Sequence, residues 1–217
     1  SAILAGLAKV QGTRQDTAKQ NGEVASTVGV LDTFVTALGN ATTRPEILST
    51  FGRTEITQTA RALVGLAVAH KPLMEALATR ILDSRVRRQM KSDDIFTVLW
   101  AFATMDMNNT LLTTALVQDL LAQGTRSTLR SIVGAGWALA VEGSLEDSLI
   151  HALVTRVHLR SCNNVQLSQL HQLFVHIELN AQALPQSQRL LQTIKPFRKR
   201  CQTFFLQHFR RSKPPLS

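Results

Sequence analysis

Three absences narrow what this chain of 217 residues can be. It contains no tyrosine, and its 5% aromatic content argues against an RNA-binding sheet that stacks bases on an aromatic platform. Two cysteines, Cys162 and Cys201, do not make a disulfide framework, so we expect a reducing compartment. No apolar run reaches the ~18 residues of a transmembrane helix, so we expect no membrane span.

Acidic residues are missing from the C-terminal part of the chain. No Asp or Glu follows Glu178, whereas eight Lys and Arg do, and the net charge of the whole chain is +9. A basic end on a nearly neutral body favours nucleic acid or another acidic surface as the partner. The alternative interpretation is a solvated tail that only aids solubility.

What the sequence does contain is an internal repeat. Trp100, Trp137 and Phe174 are spaced 37 residues apart, and the residues around Trp100 resemble those around Trp137. The same interval separates Leu112, Ala115 and Leu116 from Leu149, Ala152 and Leu153. A fixed period between about 20 and 50 residues is typical of stacked repeats. Such arrays offer an extended binding surface rather than a catalytic cavity.

Apolar residues recur with helical spacing along almost the whole chain, and no segment alternates as a strand would. The sequence therefore predicts an all-α protein, an α-solenoid of about four to five stacked helical hairpins. We predict an atypical N-terminal repeat and loop (1–53), helical-hairpin repeats (54–180), and a capping helix with a basic tail (181–217). The predicted helices are 2–10, 25–39, 54–70, 72–84, 93–106, 109–123, 128–142, 145–158, 166–179, 186–195 and 197–210, with turns predicted at 106–109 and 142–143. We expect both tryptophans in the core.

One string within the repeat resembles a known family. It is Val98-Leu99-Trp100-Ala101-Phe102-Ala103, with a weaker copy in Gly136-Trp137-Ala138-Leu139-Ala140. Both are similar to the octotricopeptide and heptatricopeptide repeats of organelle RNA-binding proteins, and to the repeats of RAP-domain and FAST-kinase-like proteins. The resemblance covers roughly residues 54–180 and implies an α-solenoid, residence in an organelle and contact with RNA. No RAP domain is recognisable in the chain.

In those repeats, polar side chains at fixed positions of the first helices recognise individual bases. The corresponding positions here lie around Thr97, Ala135 and Gln172, and their residue types share no pattern. We therefore expect backbone and shape contacts with structured RNA rather than recognition of one base per repeat. Contacts to phosphate fix position without reading sequence.

The densest internal basic run is the first predicted RNA-binding site. It lies between two predicted hairpins and contains Arg85, Arg87, Arg88 and Lys91. Lysine and arginine suit phosphate, arginine through its planar fork of donors. The alternative is a solvated loop whose charges partly pair with Asp83, Asp93 and Asp94.

A second predicted site lies near the C-terminus, where basic residues interleave with phenylalanines. Its predicted RNA-binding residues are Lys195, Arg198, Lys199, Arg200, Arg210 and Arg211. The apolar face would comprise Phe197, Phe204, Phe205 and Phe209. We interpret this segment as a helix that caps the last repeat and contacts RNA. A basic amphipathic helix for a protein partner or a membrane surface is the alternative.

Signals of catalysis are weak throughout the chain. There is no glycine-rich phosphate loop, and no Ser/His/Asp or Cys/His order stands out. Histidine and cysteine occurring together suggest the possibility of a zinc site, but their spacing here matches no known pattern of zinc ligands. The residues are His151, His158, Cys162, His171 and His176. We predict a protein that is not an enzyme, with no cofactor, no metal and no small-molecule substrate.

The predicted function is a structural, RNA-binding subunit of a mitochondrial ribonucleoprotein such as the mitochondrial ribosome. The expected partners are structured ribosomal RNA and neighbouring protein subunits, in the mitochondrial matrix, with the plastid as the alternative. Near the start, Lys9, Arg14 and Lys19 against Asp16 are faintly like a transit sequence. Two rivals stay open: a protein–protein adaptor of a large organellar complex, and a fragment of a larger RNA-processing protein.

Overall fold

A computed structural model describes residues 24–145, 147–156 and 161–179, together with 192, 195, 198, 199, 201–203 and 206. Every regular element within these residues is helical, and none of them lies in a strand, which confirms the all-α prediction. The chain divides into two compact units, Ser1–Asp119 and Leu120–Ser217.

The helices follow the apolar periodicity of the sequence. Over the described residues they are α1 Val24–Thr42, α2 Pro45–Leu48, α3 Arg53–Leu66, α4 Lys71–Leu82, α5 Ser84–Arg87, α6 Ser92–Thr104, α7 Thr110–Ala122, α8 Leu129–Glu142, α9 Asp147–Arg156 and α10 Asn164–Leu179. The short helices α2 and α5 were not predicted. The predicted helix 2–10 lies outside the described residues. Those described between 192 and 206 are helical.

In the first unit, α3 and α6 pack side by side and run in the same direction. Nη1 of Arg53 lies 2.9 Å from Oδ2 of Asp94, and two turns further along α3, Nη2 of Arg61 lies 3.4 Å from Oγ1 of Thr97. The sequence offset is 41 residues for the first pair and 36 for the second, close to the period of the repeat. The fully buried side chains between helices α3, α4 and α6 include Ile56, Leu63, Leu77, Ile81 and Ile95. The first helices of consecutive predicted hairpins are therefore neighbours in this unit.

In the second unit, α8 contacts both α9 and α10. Gly136 explains how closely they approach, because a Cβ atom there would lie 2.8 Å from Cδ1 of Leu153 and 3.2 Å from Cδ2 of Leu173. Real Cβ atoms are not found at the shorter distance, so a larger residue at this position would force the Leu153 side chain to move. Next to it, the indole Nε1 of Trp137 donates a hydrogen bond to Oε1 of Gln172. Here too, two first helices of consecutive predicted hairpins lie in contact.

Helices α3, α6 and α8 end in the same way. A residue in the left-handed conformation follows each helix, directly after α3 and α8 and one residue later after α6, with φ of 53° at Ala67, 70° at Gly143 and 54° at Asp106. The next N–H donates back to a carbonyl five residues earlier: Val68 to Leu63 at 3.1 Å, Met107 to Phe102 at 3.0 Å, Ser144 to Leu139 at 2.9 Å. This is the Schellman arrangement. Asp106 and Gly143 lie in predicted turns, whereas the predicted continuation of the first of these helices to residue 70 was wrong.

Candidate nucleic-acid interface

The basic run of the first unit is an ordered segment rather than an open loop. Its helix α5 begins after Asp83, whose Oδ1 accepts a hydrogen bond of 2.9 Å from the backbone N–H of Arg85. Val86 and Met90 are only 4% and 3% exposed, and they anchor the segment to the unit. The cationic side chains left exposed are those of Arg85, Arg88 and Lys91. A fixed backbone thus presents three positive charges to solvent.

Arg87 has a different environment from the other three predicted residues of this run. Its Nε lies 2.7 Å from Oδ2 of Asp119 on α7, and both side chains are partly buried. Two of the three carboxylates that the sequence suggested as partners are engaged elsewhere: Asp83 pairs with Arg80 at 2.9 Å and Asp94 with Arg53 at 2.9 Å. Because its charge is matched by Asp119, Arg87 is a poor candidate for a phosphate contact.

In the C-terminal segment, Lys195, Arg198 and Lys199 are described, and all three are exposed helical residues. Arg198 forms an ion pair with Glu178 of α10, so it joins the segment to the last described repeat helix. The predicted binding residues Arg200, Arg210 and Arg211 lie outside the described residues. So do the four phenylalanines of the predicted apolar face: Phe197, Phe204, Phe205 and Phe209.

Two histidines near this ion pair do not add to the basic surface. Burial lowers the pKa of His171, and the nearby charge of Arg198 lowers it further, while Glu178 acts in the opposite direction. Burial alone lowers the pKa of His176. Since the ordinary histidine pKa is about 6.5, both imidazoles are neutral at neutral pH. These two imidazoles therefore add little positive charge to the surface around Arg198.

The outward face of α6 carries the first repeated tryptophan, which lies at the edge of the core rather than at its centre. Trp100 is half-buried, as is Phe96 one turn before it, because aliphatic residues of α6 occupy the inward positions. The exposed side chain of Arg61 on α3 reaches this face through the contact of its guanidinium with Thr97. Sequence reasoning missed this group, because a repeated tryptophan in a helix is more often a core residue.

The corresponding face of the second unit is more apolar. Trp137 is half-buried as well, and its ring is held by the hydrogen bond to Gln172. On the same two helices, Val141 is 55% exposed, Val175 is 37% exposed and Leu179 is 80% exposed. Exposed apolar side chains that lie close together are typical of protein–protein contact.

The described part of the chain contains neither a metal-binding cluster nor a helix suited to cross a membrane. No three His, Cys, Asp or Glu side chains there lie close enough together to hold a metal ion. Within the same residues, no helix has both the length and the apolar character needed to cross a bilayer.

No protein-family model matches this sequence, and no curated protein is similar to it. The resemblance to the organelle helical repeats therefore stays a prediction that depends on the motif and the period alone.

Proposed function

We propose that this protein is a non-catalytic RNA-binding protein built from stacked helical hairpins, an α-solenoid with a repeat of 37 residues. Its role is that of a structural subunit of a mitochondrial ribonucleoprotein such as the mitochondrial ribosome. The observation that carries the proposal is the ordered basic segment with exposed Arg85, Arg88 and Lys91. Its backbone is fixed by the buried Val86 and Met90, so little conformational entropy of the chain is lost when RNA binds.

Phosphate is the chemical group that these three side chains suit best. Arginine presents a planar fork of N–H donors that matches two phosphate oxygens, and lysine supplies a compact point charge. Lys195 and Lys199 offer a second set of contacts on the other unit, to which the predicted residues Arg200, Arg210 and Arg211 would add. Contacts of this kind hold an RNA in place without reading its sequence.

The positions that correspond to base readers in the resembled repeats support this interpretation. Thr97 is only 4% exposed, and its hydroxyl donates to the carbonyl of Asp93 at 2.8 Å. Ala135 is fully buried, and Gln172 accepts a hydrogen bond from Trp137. Thr97 and Ala135 are thus too buried to select a base, and the amide oxygen of the exposed Gln172 is occupied by the indole, so the proposal is recognition of RNA backbone and shape.

Cross-linking in the native assembly tests the proposal. Ultraviolet irradiation of the purified native complex should attach RNA to peptides that contain residues 85–91 and 195–199, and ribosomal RNA should be recovered with them. Peptides from α1 and α4 serve as the internal control, since the proposal places no RNA on them. Recovery of the protein in a complex that contains no RNA, or cross-links confined to the control peptides, would contradict the proposal.

A protein–protein adaptor is the second candidate, and a specific observation favours it. Val141, Val175 and Leu179 are exposed on the two helices joined by the Trp137–Gln172 hydrogen bond, and exposed apolar side chains suit a protein interface better than an RNA-binding groove. If the adaptor function is the main one, replacing Val175 and Leu179 by Asp should release a folded protein from its assembly. Under the RNA proposal, the same change should leave affinity for RNA unaltered, because no phosphate contact is removed.

A further inference from the structure

The outward face of α3 and α6 in the first unit offers chemistry that phosphate contacts do not use. We propose that Phe96 and Trp100, with Arg61 beside them, form a site where an unpaired nucleobase of single-stranded RNA stacks. This inference rests on the proposed RNA-binding function and names the kind of RNA segment that the first unit takes. It differs from the sequence-based expectation, which placed the tryptophan in the core.

The two aromatic side chains are suitably placed for stacking. Phe96 and Trp100 are four residues apart on α6, so they lie one above the other on the same face of the helix. Both are half-buried, whereas Val98, Leu99 and Ala101 between and beside them are buried. Each aromatic residue is thus mostly covered by the packed helices, and a part of its surface remains accessible to solvent. Stacking on such a ring tolerates every base, because each base has a π-face.

Arg61 adds a cation at the edge of this face. The hydroxyl of Thr97 donates to the carbonyl of Asp93 at 2.8 Å, so its lone pairs are available to accept from Nη2 of Arg61 at 3.4 Å. That contact uses one N–H of a group that has five donors. The remaining donors of the exposed guanidinium are available for the edge of a base or for the phosphate that follows it.

The carboxylate of Asp93 lies two turns before Trp100 on the same side of α6 and is exposed. An aromatic surface suits the π-face of a neutral base rather than a phosphate. Lys91 immediately precedes α6, and nine residues of helix correspond to roughly 13 Å along the axis. A single strand can thus be held by its phosphates near the start of the helix and by a base further along.

A protein partner fits this face less well than RNA does. Among the described residues of α3 and α6, no large aliphatic side chain is exposed. The exposed positions of α3 are Thr54, Gln58, Arg61 and Gly65. Protein interfaces concentrate their energy in apolar anchors surrounded by a rim, and this face has aromatic edges in a polar setting. The second unit, with its exposed Val141, Val175 and Leu179, has the opposite character.

Fluorescence tests the site directly, because the chain has only two tryptophans. In Trp137→Phe protein, Trp100 is the single indole, and a 12-nucleotide RNA without self-complementarity should quench its emission. The duplex of the same RNA should bind without quenching, since its bases are stacked internally. Trp100→Leu should weaken single-strand binding about fivefold or more, while Trp100→Phe should retain most of it. Circular dichroism establishes that each variant folds.

The outcomes separate this inference from the function on which it rests. If the protein binds RNA in a salt-dependent way but Trp100 is not quenched and Trp100→Leu binds normally, the stacking site is wrong and the proposed function stands. If neither single strand nor duplex binds, both are wrong. If nuclease-treated native assemblies retain the wild-type protein but not Trp100→Leu, the face binds a protein instead of a base.

Discussion

Arg53 and Asp94 form an ion pair that joins two first helices of consecutive predicted hairpins. Nη1 of Arg53 on α3 lies 2.9 Å from Oδ2 of Asp94 on α6, with both side chains partly buried. The same carboxylate oxygen accepts from the backbone N–H of Lys91 at 2.9 Å, which satisfies a donor at the start of α6. One side chain therefore both begins α6 and sets its register against α3.

Asp94→Ala should consequently cost more than a surface substitution. It removes the helix-capping acceptor and leaves Arg53 without its carboxylate, for which we expect a loss of about 1.5–3 kcal/mol in the free energy of unfolding. Asp93→Ala is the matched control, because Asp93 is exposed in the same turn whereas the capping carboxylate is that of Asp94. The position of Asp93 at the start of the helix dipole is worth about 0.3–1 kcal/mol. Urea denaturation measures both, and equal losses in the two variants would argue against the register role.

The shared ending of the first helices gives a pair of opposite predictions. Ala67 has φ of 53°, which is unfavourable for a residue with a Cβ atom, so Ala67→Gly should stabilise the protein by about 1 kcal/mol. Gly143 has φ of 70°, and a Cβ atom added there would have no neighbour within 4 Å. Gly143→Ala should therefore destabilise the protein by about 1 kcal/mol through backbone strain alone. Thermal unfolding of the two variants should show melting temperatures that move in opposite directions.

The stability of the protein should fall as the pH is lowered from 7.5 to 5. Burial lowers the folded-state pKa of His171 and His176, whereas in the unfolded chain it is about 6.5. The unfolded chain therefore binds more protons, and the stability contributed by neutral imidazoles above about pH 6.5 is lost as the pH falls through the folded-state pKa. His171→Gln with His176→Gln should flatten this dependence.

The control for the pH experiment is Gln169→Ala, because it changes α10 without removing a titratable group. It should leave the dependence of the unfolding free energy on pH as it is in the wild-type protein. If the double variant retains the full pH dependence, carboxylates or other histidines are responsible for it.

The sequence predicted the helices well because their boundaries are local. The apolar period of 3.6 residues and the turns at 106–109 and 142–143 depend on neighbours in the chain, and these helices appear close to where they were expected. Long-range pairs have no such local signal. The pairing of Arg87 with Asp119 depends on how α5 packs against α7, and the sequence of neither segment indicates that the two are in contact.

The exposure of the tryptophans was not predictable for a related reason. Whether position 100 faces the core or the solvent depends on the rotation of α6 by a fraction of a turn, which is set by packing against α3. The close approach of Gly39 to the ring of His70, where a Cβ atom would lie 2.7 Å from the imidazole, is likewise a property of the assembled helices. Sequence patterns predict the helices, whereas the contacts between helices determine which side chains stay exposed and available for binding.

The dependence of RNA affinity on salt is the most direct test of the central claim. For a single-stranded RNA, the logarithm of the binding constant should fall linearly with the logarithm of the salt concentration, by about 0.7 per phosphate contacted. Arg85→Glu with Arg88→Glu should weaken binding to unrelated RNAs alike and make the slope shallower by about 0.7 for each phosphate that the variant no longer touches. Arg44→Glu with Lys71→Glu, an equal change in charge at other exposed positions, should leave the slope unchanged. Affinity that does not respond to salt, or that falls equally in both double variants, would contradict the proposed RNA binding.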